Sequence, residues 1–99
     1  CAHLYIQCGM DGFEWDPDKA TANLAKHQVD FADAAASLSD EMALTRDDPD
    51  AQGEQRFVTV AMDPQGRLLV VVHAEAGPNT RIISARQASP GETKAYGVR

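Results

Sequence analysis

Ninety-nine residues suffice for one core and leave no room for a second, and with 43% hydrophobic and 24% charged side chains the composition is that of an ordinary folded domain. The sequence has no apolar run long enough to span a bilayer and no repeat, and Cys1 and Cys8 fit neither a zinc pair nor a disulfide across a core. A net charge of −6 argues against a nucleic-acid partner until it is divided: residues 1–52 hold 11 acids and 3 bases, net −8, and residues 53–99 hold 4 acids and 6 bases, net +2. Any RNA surface would therefore be built mainly from the later strands and the last helix, and a basic protein partner would be drawn to the earlier helices.

Residues 1–9, CAHLYIQCG, precede Met10 and share no pattern with the rest of the chain. They are read as a non-core extension, with the domain proper over residues 10–99 and a reducing cytoplasm as its setting. Phe13 to Trp15 is a short strand. Asp16 and Pro17 are the cap and first-turn pair of a helix running to about His27. On a wheel Ala20 and Leu24 form a modest apolar stripe, with Lys19, Asn23 and Lys26 together on a neighbouring polar face and His27 at the border. That polar face is a candidate site.

Asp30 caps a second helix whose Phe31, Ala34, Ala35 and Leu38 recur at the spacing of one buried face, and Asp40 and Glu41 mark its end. Ala43 to Arg46 is an edge strand, followed by the loop DDPDAQGE. Its aspartates lack the spacing of a calcium loop and are read as solvated, so no metal site is expected. Arg56 to Met62 alternates with period two, placing Phe57, Thr59 and Ala61 on one side. Asp63 to Gly66 turns the chain into RLLVVVHAE from Arg67, and Gly77, Pro78 and Asn79 turn it again into TRIISAR, ending at Arg86. Ser89, Pro90 and Glu92 fit a capping box that opens a short last helix, with Tyr96 one turn beyond Glu92.

The segments FEWDPDKATANLAKH at 13–27, DFADAA at 30–35, GRLLVVVH at 66–73 and RIISARQAS with Glu92 and Tyr96 together resemble the BrnT family, toxins of type II toxin-antitoxin systems. The resemblance implies a RelE-like α+β fold: an N-terminal strand and two helices, an antiparallel β-meander and a short C-terminal helix in one small domain. It further implies a metal-independent endoribonuclease that stops translation and needs no cofactor. Its partner would be a BrnA-like antitoxin with a ribbon-helix-helix part, giving a toxin-antitoxin hetero-oligomer that meets DNA only through the antitoxin. Where the family has glycine after the Lys-His pair, this chain has Gln28, which in a left-handed cap would cost about 1 kcal/mol and would leave His27 placed differently. Ala76 and Gly91 stand where basic residues are common in the family.

Cutting RNA without a metal needs a group to take the 2′-hydroxyl proton, a donor for the leaving 5′-oxygen and cations aimed at the phosphorane. Arg81 and Arg86 are the expected phosphate clamps, since a guanidinium fork binds two oxygens at once and stays charged. Strand alternation points Arg81 away from Arg86, which sits at the strand-to-helix junction where the chain can change direction. His27 is the expected acid-base group, with Glu92 to orient or deprotonate. Lys26, Lys19, His73 and Tyr96 complete the RNA-binding set. Two other classes are open: a catalytically weak module that binds antitoxin and helps repress its own promoter, and a metal-dependent hydrolase built on the aspartate loop.

Overall fold

The computed structural model describes residues 7–8, 12–49, 53 and 55–97, and within these the chain is α+β. Strands β1 (Gln7–Cys8) and β2 (Phe13–Trp15) precede helices α1 (Pro17–His27) and α2 (Phe31–Ser37). Then come β3 (Leu44–Asp47), β4 (Phe57–Met62), β5 (Leu68–Ala76), β6 (Asn79–Gln87) and α3 (Pro90–Gly97). The sheet order is β1-β2-β6-β5-β4-β3. Strands β3 to β6 form an antiparallel meander, and β2 joins β6 in parallel, so the first long-range pairing waits for the last strand. Gln7–Cys8 add a two-residue edge strand on β2; most of the expected non-core extension lies outside the described residues.

Both helices begin where sequence chemistry puts them. The Asp16 carboxylate accepts from the Asp18 amide at 2.9 Å with Pro17 in the first turn, and Asp30 does the same for Ala32 at 2.9 Å. Phe31, Ala34 and Ala35 of α2 are buried against Leu69, Val71, Ile82 and Ala85 of the sheet. The alanines let the helix approach closely enough for Phe31 to meet Trp15 edge to face, with centroids 6.0 Å apart. Complete burial of a phenylalanine contributes roughly 1.5–3 kcal/mol, which makes Phe31 the anchor of α2.

Helix α1 corrects the wheel. Leu24, expected in the buried stripe, is 48% exposed, whereas Asn23, expected on the polar face, is 7% exposed. The cause is the shape of the sheet. Among the described residues, strand β2 pairs with β6 only at Thr80 and Arg81, and no strand neighbours the rest of that β6 edge. Asn23 supplies the missing partner: its amide donates to the Ala85 carbonyl at 2.9 Å, accepts from the Ala85 amide at 3.1 Å and donates again to the Val29 carbonyl at 3.0 Å. A side-chain amide thus stands in for a strand, and α1 is locked to the sheet through a polar contact.

Gln28 adopts the left-handed cap after all, with φ 61° and ψ 31°, its amide bonded to the Leu24 carbonyl at 2.9 Å. Its carbonyl receives Arg67 Nη1 at 3.1 Å. Arg67 also donates to Asp33 at 3.1 Å and to the buried Asp63 at 2.9 Å, tying the end of α1, the first turn of α2 and the β4–β5 turn together. The cost of a non-glycine cap is offset by this clamp, and His27 stays on the last turn of a regular helix.

Candidate active site on the sheet

The placement of the two arginines turns on one residue. Val72 pairs with Ser84 but His73 pairs with Ile82, so Ile83 is an extra residue that bulges from β6. Arg86 lies opposite Val70 and Arg81 opposite Ala74. Val70 and Ala74 are alternate positions of an unbroken β5, so both arginines project from one face of the sheet, the face away from α1 and α2, with Cα atoms about 13 Å apart. Simple alternation would have separated them. The bulge reverses the parity.

Each arginine already holds an acid. The Arg86 guanidinium forks the Glu92 carboxylate at 2.9 and 2.8 Å, and Glu92 closes the expected capping box by accepting from the Ser89 amide at 2.8 Å while its own amide donates to Ser89 Oγ at 3.3 Å. The Arg86 hydrogen bonds hold the Glu92 carboxyl down at about 2, and the same bonds raise Arg86 above its usual range. Arg81 donates to Glu14 at 3.3 Å, and Glu14 also accepts from the Asn79 amide at 3.2 Å. Both pairs are partly exposed, so incoming phosphate can compete for the guanidinium groups.

Beside this face, the anchored α1 and the β6 bulge enclose an open cavity of about 230 Å³ lined by Lys19, Ala22, Asn23, Lys26, His27, Ile83 and Ser84. His27, Lys19 and Lys26 therefore converge, and Ser84 joins their cavity to the Arg86 face, two residues away along the strand. The other expected residues lie elsewhere. His73 is half-buried on the helix side of the sheet, stacked on Phe57 and bonded through Nε2 to Thr59 Oγ1 at 2.7 Å, which in turn meets Thr45 Oγ1 at 2.8 Å. Burial lowers its pKa, partly countered by Glu75. That environment favours neutral imidazole and sets His73 on the face opposite Arg81 and Arg86. Tyr96 donates its hydroxyl to Asp40 and so fastens the far end of α3 to the α2–β3 turn.

Sequence reading passed over Asn23 as a structural residue, the Arg67 clamp and the bulge. Only Arg67 offered a signal, as the one cation following the Asp63 turn. A second groove, about 280 Å³, lies between α3 and the meander, floored by Leu44, Val58 and Val60 and flanked by Arg46 and Glu92. Among the described residues no three metal-capable side chains cluster.

Comparison with known proteins finds relatives over most of the chain. Residues 15–92 match the family model of the ribonuclease toxin, BrnT, of type II toxin-antitoxin systems. The fold is similar to the crystal structure of the Brucella abortus ribonuclease toxin, BrnT, with a TM-score of 0.56 and 28% sequence identity, over 76% of this chain and 92% of that one. A search of curated proteins gives no match.

Proposed function

The chain belongs to the BrnT family of ribonuclease toxins of type II toxin-antitoxin systems, and from that premise we propose that it cuts RNA without a metal ion on the Arg81–Arg86 face. The observation that carries this reading is the bulge at Ile83, which brings both arginines to one face beside the cavity holding His27. In the reaction the 2′-hydroxyl loses its proton and attacks the adjacent phosphorus, the bond to the 5′-oxygen breaks, and the departing oxygen takes a proton. His27 serves as the acid-base group, because imidazole changes charge near neutral pH. Arg86 and Arg81 hold the phosphorane oxygens, and Glu92 keeps the Arg86 fork in its plane until RNA displaces it. Lys19 and Lys26 attract the flanking phosphates. His73, on the opposite face, has no direct part.

The expected partner is a BrnA-like ribbon-helix-helix antitoxin, through which alone the assembly touches DNA, and the setting is the cytoplasm. No helix among the described residues is long and apolar enough to cross a membrane. A second reading, a weak nuclease retained for antitoxin binding, draws support from the acids already on both arginines. Induction of the chain without antitoxin separates the two. The nuclease arrests growth and shortens transcripts, works in EDTA, and loses both effects in Arg86→Ala while antitoxin binding persists. Undiminished cleavage by Arg86→Ala would overturn the assignment, and intact transcripts with a folded wild type would leave the binding module.

A further inference from the structure

The face that carries Arg81 and Arg86 does not end with them. Arg46 pairs with Val58, Val58 with Val72 and Val72 with Ser84, so Arg46 projects from the same side as Val70, Ala74 and the two β6 arginines. Arg56 precedes Phe57, whose ring lies on the opposite side against His73, and the Arg56 carbonyl continues the ladder by accepting from Asp48. Arg56 therefore joins the same face. With strands about 4.8 Å apart and alternate residues about 7 Å apart, the four guanidinium stems frame a field roughly 15 Å across.

We infer that Arg46 and Arg56 are additional RNA-phosphate contacts, extending the site from the His27 cavity across the sheet to β3, so that a single strand of RNA crosses the β-strands rather than following one. This rests on the nuclease reading of the Arg81–Arg86 face. Two observations support it. Arg46 is exposed and forms no salt bridge among the described residues. Arg56 is partly exposed, and among the described residues its buried Nε has no hydrogen-bond partner, so the guanidinium is not held by an acid. Among the described residues the carboxylates on this side are Glu14, committed to Arg81 and Asn79, Glu92, committed to Arg86, Asp48 across from Arg56, and Asp40, which holds the Tyr96 hydroxyl and the Met62 amide. This side gathers four of the chain's six arginines, with Glu14 and Glu92 already engaged by two of them.

The test is binding of a single-stranded RNA oligonucleotide whose 2′-O-methyl groups block cleavage, followed by fluorescence anisotropy between 50 and 200 mM salt. Each phosphate contact contributes about −0.7 to the slope of log affinity against log salt. An R46Q/R56Q double variant should therefore bind with a slope shallower by about 1.4, making its affinity about sevenfold less salt-sensitive over that range. R46K should restore part of the slope, because lysine keeps the charge. An unchanged slope, with the wild type binding and cutting RNA, overturns this inference alone. Absence of both binding and cleavage in the wild type overturns the nuclease reading with it. If the double variant binds RNA normally but loses its antitoxin, the arginines serve a protein contact and the inference fails.

Discussion

Asn23 and Leu24 provide the sharpest test of how this sheet is held together, because the helical wheel and the structure rank them in opposite order. Asn23→Leu keeps the side-chain size but removes both donors and the acceptor, leaving the Ala85 amide, the Ala85 carbonyl and the Val29 carbonyl without their partner in a buried setting. Buried polar groups left unpaired cost about 1–3 kcal/mol each. The three groups together cost about 3–9 kcal/mol and added burial of the new methyl groups returns about 1–2 kcal/mol, so the net loss should be about 1–8 kcal/mol, centred near 4. A domain of this length has a total stability of roughly 5–15 kcal/mol, so the shift is large. Leu24→Asn, at a position 48% exposed, should cost about 1 kcal/mol or less. Urea unfolding of both variants measures the two values, and hydrogen exchange at the Ala85 amide should accelerate only in Asn23→Leu. If Leu24→Asn proved the more damaging change, the account of the β6 edge would be wrong.

Three further outcomes rest on the neighbouring contacts. Gln28→Gly should stabilise the protein by about 0.5–1 kcal/mol in thermal or urea unfolding, since it relieves a left-handed side chain while the Arg67 bond to the residue 28 carbonyl remains. Arg67→Ala should destabilise by about 2–3 kcal/mol, because Asp63 stays buried without its cation, and a double-mutant cycle with Asp63→Ala should give a coupling above about 1 kcal/mol. His73 has a folded pKa below its ordinary 6.5, so the unfolded chain takes the proton first; its contribution to stability is complete above about pH 6.5 and declines as pH falls from there. Glu92, lowered from 4.5 to about 2, adds a second decline between those values. His73→Gln should flatten the first decline and leave the second, and a first decline of unaltered steepness would assign it to another group.

Most of the fold was legible in the sequence because local chemistry and tertiary packing agree. Asp16-Pro17 and Asp30 begin helices, the alternation at 57–62 sets a strand, and Ser89 with Glu92 forms the box it spells. For the candidate site, the sequence offers residue types but not their arrangement. Nothing local to TRIISAR announces that Ile83 will bulge, yet that residue decides whether Arg81 and Arg86 share a face. Asn23 looked like surface because a wheel assumes apolar burial, whereas the surface it meets is an unfinished strand edge that needs hydrogen bonds. Gln28 looked incompatible with a left-handed cap because its compensating partner, Arg67, lies 39 positions away.

The parallel pairing of β2 with β6 carries a consequence for biosynthesis. Phe13, Glu14 and Asn23 emerge early from a ribosome, but the backbone they pair with lies far downstream, 62 positions away in the case of Asn23. Contacts between such distant positions cannot form while the intervening chain is still being translated. Arg81 and Arg86 themselves belong to that final strand, so a nascent chain has neither its completed scaffold nor the two arginines proposed to hold phosphate until the codons for β6 have been read. Under the proposed nuclease reading, the site becomes complete only once that strand is made.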